Sequence, residues 1–450
     1  MSRRTFTRRR FIATTAAASA AAIGFPYIRT SHAAGALSVG FWDHWVPGAN
    51  DVLTKICNDW AAKEKVDLKI DYITSQGNKI VLTAQAEAQA KSGHDFMTFQ
   101  AWDPLDKHAL LEPMDDIVGQ LTKANGAMDP AAQYLTKGGK DGHFVGVPAV
   151  TGTQVKPPCA RLDLFKKVGV DILEMYPTLK APNKSSENWN WNTLLSAAEK
   201  LHKEGHPIGL GLGQTTDSVD WVGALFASFG AEVVNAKGDI TIKNNDAVKQ
   251  VLEYMQKLTK VMPADVFAWD DASNNKYIIS GQGSMIMNPP SAYAVAKRDN
   301  PKVAEHLYTF EMPKGPKGRF APYLPFIWGV WKFSKNRSAA KSLLATIWQK
   351  ENVEKLVNGS IGYDIPSFAS QRDFKVWEQV EPPKGAVYHY PPKADQKIWM
   401  SCAPAPTSIA NQMYVQAINT KLIAQCTQGG KTIAQAIDWG AKELEGYQRS

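Results

Sequence analysis

Cysteine is scarce in this chain: four in 450 residues, at Cys57, Cys159, Cys402 and Cys426. None makes a CxxC pair, so a structural zinc site of the usual spacing is excluded. A core of this size does not require disulfides. Were one present, Cys402 with Cys426 is the pair to examine first; buried free thiols are the other expectation. The sequence also lacks a Gly-x-Ser-x-Gly elbow and a His-Glu-x-x-His helix, which removes two common hydrolytic designs. It has no internal repeat, no low-complexity tract beyond residues 1–33, and no apolar run of membrane-spanning length. Charge is sparse, at 21% of residues. Six arginines, Arg3, Arg4, Arg8, Arg9, Arg10 and Arg29, fall within residues 1–33, where there is no acid, so the formal +8 drops to +2 beyond them. The remaining Lys and Arg are scattered among Asp and Glu, which excludes nucleic acid as a partner.

Residues 1–33 read as a secretory leader. Arg8, Arg9 and Arg10 precede Phe11 and Ile12, an alanine-rich run follows to Ala22, and Ser31-His32-Ala33 offers small residues where a signal peptidase cuts. Thr7-Arg8-Arg9-Arg10-Phe11-Ile12 resembles the twin-arginine export motif, as does Ser2-Arg3-Arg4-Thr5-Phe6. No cysteine follows the cleavage point, so a lipid anchor is not expected.

What the chain does have is length, an ordinary globular composition with 44% apolar residues, and fourteen tryptophans. The length exceeds one hydrophobic core, which predicts two domains. Aromatic side chains in such number point to binding through ring faces. Residues 142–153, Gly-His-Phe-Val-Gly-Val-Pro-Ala-Val-Thr-Gly-Thr, form an extended segment that leaves one lobe for another. Before it the grammar is strand, helix, strand, helix, strand. Apolar residues run from Ala36 to Phe41, Val52, Leu53, Ile56, Trp60 and Ala61 mark a helix capped by Asn50 or Asp51, and Val66, Leu68, Ile70 and Tyr72 alternate. Ile80, Val81, Ala84 and Ala88 then share a helix face, and residues 95–99 form a strand. That order predicts a mainly parallel sheet with ligands bound beyond its strand ends.

The same grammar resumes afterwards. Residues 207–212 read as a short strand, residues 214–220 as a loop leading through Trp221 into a helix, and residues 322–332 and 361–366 as second and third crossings. Two amphipathic helices close the chain, one carrying Ile409, Met413, Ala417, Ile418 and Leu422, the other Ile433, Ala436, Ile437, Ala441 and Leu444.

Several stretches resemble the bacterial extracellular solute-binding proteins of ABC importers, in particular the carbohydrate-type, maltose-binding-like family. They are Gly93-His94-Asp95-Phe96, Ala109-Leu110-Leu111-Glu112-Pro113-Met114-Asp115-Asp116, Gly142 to Pro148, Asp163 to Asp171, Ser280 to Asn288, Ser334-Lys335-Asn336, and Ala434 to Leu444. The resemblance implies an α/β, two-lobed periplasmic binding protein fold of type II, its lobes joined by hinge segments with a ligand cleft between them. It implies a soluble, monomeric periplasmic receptor that hands a sugar or polyol to the transmembrane subunits of an ABC permease, with no cofactor, metal or catalysis. The expected lobes are residues 34–150 with 328–358, and 151–327 with 359–450.

A sugar offers hydroxyls and apolar ring faces, so its site needs aromatic planes beside short directional hydrogen bonds. In the first lobe the candidates are Trp42, His44, Trp45, Trp102 and Asp103, the last standing near where the maltose-binding type places a carboxylate. In the second they are Gln214, Asp217, Asp220 and Trp221, with Asn288, Ser291 and Tyr293 after the glycine-and-methionine strand. Tyr323 and Trp328 on the second crossing and Tyr363 on the third complete the set. Two other readings stand beside this one. The tryptophans with Asp103, Asp217 and Asp220 could cage a polyamine or quaternary amine, or Asp217 and Asp220 could be the carboxylate pair of a secreted glycosidase.

Overall fold

The computed structural model describes residues 35–138, 142–175, 183–288, 291–379 and 395–449. The leader expected at residues 1–33 lies outside them. Among the described residues no helix is long and apolar enough to cross a membrane.

The first lobe is built on a five-stranded sheet in the order Asp67–Ile73, Ala36–Trp42, Phe96–Gln100, Phe326–Val330, Val147–Pro148. The first three strands are parallel, with Val39 opposite Ile70 on one side and Phe96 on the other. Phe326–Val330 runs antiparallel to Phe96–Gln100, pairing Phe326 with Gln100. Central strands are buried on both faces, and Phe96–Gln100 has no solvent-facing residue. Asp67–Ile73 at the sheet edge is half-buried, which is why only it alternates polar and apolar. The Ala49–Glu64 helix starts behind Gly48, in the left-handed region at φ 85°. Neither Asn50 nor Asp51 caps it. Asn50 is taken by the preceding loop, accepting from the His44 amide at 3.2 Å and donating to Asp43 at 2.8 Å.

The second lobe carries two smaller sheets. In one, Pro158–Arg161 lies between Leu307–Thr309 and Met285–Met287, both antiparallel to it. In the other, Arg319–Leu324 lies between Gln396–Trp399 and Gln154–Val155. Residues 207–212 are extended, as expected, and bonded to their neighbours: Gly209 donates to Met285 and Leu212 to Val266. They form no regular ladder. Arg319, fully buried, ties the second crossing into this lobe. Its guanidinium lies 3.4 Å from Glu311 and 3.2 Å from Asp395, and bonds the carbonyls of Ser186, Trp189 and Met312.

Two expectations about helices are corrected. Residues 216–220 are not loop: Thr215 accepts the Ser218 amide and opens a helix, Thr216–Phe229, with Asp217, Asp220 and Trp221 already on it. Asp220 therefore caps nothing. The penultimate helix is two, Thr407–Val415 and Ile418–Thr427, broken where Ala417 enters the left-handed region at φ 53°. The last helix, Ile433–Arg449, is continuous. All four cysteines are buried free thiols, so no Cys402–Cys426 bridge forms.

The three crossings meet at one knot. Thr153 bonds through its hydroxyl to the Ala149 carbonyl at 2.8 Å and to the Phe326 amide at 3.1 Å, while its own carbonyl accepts the Ile365 amide at 2.9 Å. Gly152 sits at φ 95° against the Phe326 ring, where a Cβ would come within 2.1 Å of a ring carbon, and its amide donates to Asp364 at 2.7 Å. Only glycine fits both demands.

Candidate functional site

Two adjoining cavities lie where the lobes face each other, about 290 Å³ and about 440 Å³ with the open solvent at their mouths counted in. Gln100 from the first sheet and Thr216 from the second-lobe helix line both. The smaller has an aromatic side made of Trp42, Trp45, Phe326 and Tyr363, and a polar side made of Asp217, Asp271, Asn275, Asn288 and Ser291. The larger is lined by Asp103 and Gln214 together with Val81, Val219 and Tyr414.

Strand ends and hinges set the aromatic side. Trp42 ends the Ala36–Trp42 strand, stacks on Tyr363 at 6.1 Å and 24°, and meets Phe326 edge-on at 5.0 Å. His44 braces them from behind. Its Nδ1 accepts the Val46 amide at 2.9 Å, so the proton sits on Nε2, which donates to Asp364 at 3.2 Å. Asp364 in turn holds the Gly152 amide, so the aromatic wall and the hinge knot share one carboxylate.

The polar side is a charge cluster. Lys156, just beyond the first crossing, is buried between Asp217, at 2.7 Å, and Asp220, at 2.8 Å. Burial works against its charge, but Asp217, Asp220 and Asp271 outweigh that and hold it above the usual lysine range. Burial pushes Asp220 up to about 6, with Lys156 opposing. Asp271 is pushed up to about 7 by burial and then by the charge of Asp217. Asn274 fixes the second oxygen of Asp217 at 2.8 Å, and Asn275 bonds both Asn288 and Ser291. In the first lobe Asp103 pairs with Lys107 one helical turn on; burial still raises its pKa.

Among the described residues, five buried polar atoms on the lining of these cavities have no hydrogen-bond partner: the donors Trp42 Nε1 and Gln100 Nε2, the acceptors Asp103 Oδ2 and Asp271 Oδ1, and the Tyr414 hydroxyl. Each costs about 1–3 kcal/mol if nothing bonds it.

Eight of the fifteen candidates line the cavities: Trp42, Trp45, Asp103, Gln214, Asp217, Asn288, Ser291 and Tyr363. The other seven do not. His44 and Asp220 stand behind the walls, as described. Trp102 is buried between lobes, its indole donating to the Ser401 carbonyl at 3.0 Å. Trp221 turns into the second-lobe core, donating to the Gly211 carbonyl at 2.7 Å. Trp328 packs edge-on against Phe41 inside the first lobe, and Tyr323 and Tyr293 are buried off the cleft. Sequence reasoning missed Gln100, Lys156, Asp271 and Asn275. Gln100 ends a parallel strand, so the strand-end rule covered it; the other three carry no local signal.

The fold matches that of solved sugar-binding proteins. Maltose-bound MalE3 of T. maritima is similar over 92% of this chain and 99% of its own, at 19% identity and a TM-score of 0.70. A sugar transporter protein from Arthrobacter chlorophenolicus A6 with bound laminaribiose is similar over 92% and 99%, at 16% identity and a TM-score of 0.70. An ABC transporter solute binding protein from Agrobacterium vitis S4 with bound D-mannitol is similar over 92% and 99%, at 19% identity and a TM-score of 0.65. The type II, two-lobed fold expected from the sequence is therefore the fold observed. No curated protein matches the sequence. A family model described as bacterial extracellular solute-binding protein matches residues 57–381, well over half the chain. With two lobes, three crossings and a partner-seeking cleft between them, this chain belongs to the family of bacterial extracellular solute-binding proteins.

Proposed function

We propose that the protein captures a sugar, oligosaccharide or polyol in the interlobe cleft and, as a monomer in the periplasm, delivers it to the transmembrane subunits of an ABC permease. The lobes are residues 34–150 and 151–327 with their returning segments 328–358 and 359–450, the first lobe gaining Phe326 and Ile327 with their strand. One observation carries the reading: buried donors and acceptors without hydrogen-bond partners belong to residues that line the same cleft as Trp42, Trp45 and Tyr363. A hydroxyl both donates and accepts, and a sugar ring brings several beside apolar C–H faces. The maltose, laminaribiose and D-mannitol held by proteins of like fold support the same class.

The polyamine reading loses its basis, because Asp103, Asp217 and Asp220 each face a lysine of the protein itself. The glycosidase reading loses its pair for the same reason: both carboxylates are bound to Lys156. The family is one of receptors.

A thermal-shift screen of residues 34–450 against sugars, oligosaccharides, polyols, polyamines and betaines tests the proposal. A ligand at ~100 times its Kd adds about 2.7 kcal/mol of stability. A sugar or polyol is expected to raise the melting temperature, and Trp45→Ala, at a half-buried position, to weaken that ligand about tenfold while leaving the ligand-free melting temperature nearly unchanged. A rise with polyamines or betaines alone would sink it.

A further inference from the structure

The carboxylates of the cleft outnumber its cations. Lys156 sits between Asp217 and Asp220 and satisfies one oxygen of each, and Asp103 is matched by Lys107. Asp271 has no lysine or arginine of its own. It lines the aromatic cavity and is 9% exposed, the Asp217 amide and the Thr215 hydroxyl hold its carboxylate, and its Oδ1 is buried without a hydrogen-bond partner. Its titratable neighbours are Asp217 on the Thr216–Phe229 helix, Lys156 just beyond the first crossing and Tyr414 on the Thr407–Val415 helix, with Asp220 paired to the same Lys156. Three acids stand against one base, so the second-lobe wall carries net negative charge once Asp271, pushed up to about 7, has ionised.

From this geometry we infer that the solute is an amino sugar, a polyhydroxyl ring or chain bearing one protonated amine, with its ammonium on Asp271 Oδ1 and its carbon skeleton against Trp42, Trp45 and Tyr363. The inference rests on the carbohydrate reading above and narrows it. An ammonium supplies the donor and the charge that Oδ1 lacks, and a hydrogen bond between two ions is about twice as strong as one between neutral groups. Trp42 and Gln100 line the same cavity as Asp271, so the hydroxyls of the same molecule take Trp42 Nε1 and Gln100 Nε2 as partners. The indole faces add a cation–π component when the amine is protonated. A polyamine would meet Asp271 and leave the two donors unanswered.

Calorimetric titration of the purified protein at pH 7.5 with matched probes tests this: D-glucosamine, D-glucose and N-acetyl-D-glucosamine, and the corresponding disaccharides, the chitosan dimer, cellobiose and chitobiose. The amine is expected to bind at least about tenfold tighter than its neutral and acetylated counterparts. Asp271→Asn is expected to erase that preference while a neutral sugar still binds. Should the variant fail to fold, the wild-type protein gives the same answer through pH. Between pH 7.0 and 5.5 Asp271 takes up a proton while the amine, already mostly protonated at pH 7.0, gains little further charge, so the amine preference shrinks and binding at pH 6.5 releases protons, read from titrations in two buffers of different ionisation enthalpy. A neutral sugar that binds as tightly as its amine, or a preference untouched by both the variant and pH, overturns this inference and leaves the carbohydrate reading intact. Binding of none of these six probes overturns this inference, and binding of putrescine with no sugar or polyol of the thermal-shift screen overturns both.

Discussion

Asp271 and Asp220 store protons in the folded state. Their folded pKa values, about 7 and about 6, stand above the ordinary carboxylate value, so between roughly pH 4 and pH 7 the native protein binds more protons than the unfolded chain. The sign follows: this contribution to stability is complete below the unfolded value and is lost as pH rises through the folded ones. Asp71, Asp163 and Asp270 work in the opposite sense. Lys69, Arg161 and Ser273 hold their carboxyls below the usual range against the effect of burial, and that contribution is lost as pH falls below about 4. The ligand-free melting temperature is therefore expected to peak near pH 5 and to fall toward pH 8. In Asp271→Asn the decline from pH 5 to pH 8 should shrink by at least about 2 °C. An unchanged slope in calorimetric scans would remove Asp271 from the account.

Among elements, helix caps separate stability from binding. Asn190 caps Trp191–Lys203 by accepting the Asn192 and Thr193 amides, and Thr215 caps Thr216–Phe229. Replacing either by alanine is expected to cost about 1 kcal/mol, measurable by denaturant titration. Only Thr215→Ala should also raise the Kd for the cognate sugar, because its helix carries Asp217 into the cleft; equal Kd values for the two variants would contradict that role. Legibility in the sequence divides along the same line. The parallel strands Ala36–Trp42, Asp67–Ile73 and Phe96–Gln100 were readable because apolar runs, alternation and helix faces are local patterns. The start of Thr216–Phe229 was misread because its first turn, Thr-Asp-Ser, is polar and the apolar run begins only at Val219. The break at Ala417 has no glycine or proline to announce it, and a left-handed alanine costs about 1–2 kcal/mol that only its tertiary surroundings can repay. Tryptophans misled in proportion to their number: Trp221 and Trp328 are core residues, and composition alone does not separate a ring that packs from a ring that binds. Asp271 and Asn275 reach the cleft through long-range folding, for which spacing offers no cue.

For the whole molecule, the relation of the two lobes decides affinity. Trp102 belongs to the first lobe and Ser401 to the chain that follows the second-lobe strand Gln396–Trp399, so the indole hydrogen bond between them spans the cleft's edge. Trp102→Phe keeps most of the buried ring and deletes this bond, worth about 0.5–1.5 kcal/mol. We expect a rise in Kd of about 2- to 12-fold, a faster dissociation rate, and a larger radius of gyration in ligand-free small-angle scattering. Unchanged scattering and Kd would assign Trp102 to packing alone. The cysteines give this two-lobed body a further property. Cys57 lies in a first-lobe helix and Cys159 in a second-lobe strand, and burial pushes the Cys159 thiol up to about 12 and the Cys57 thiol higher still. A thiol that is both inaccessible and protonated does not react with an alkylating reagent. Each lobe thus carries its own chemical clock, silent in the native state, whose rate of labelling reports how often that lobe, and not its neighbour, comes apart.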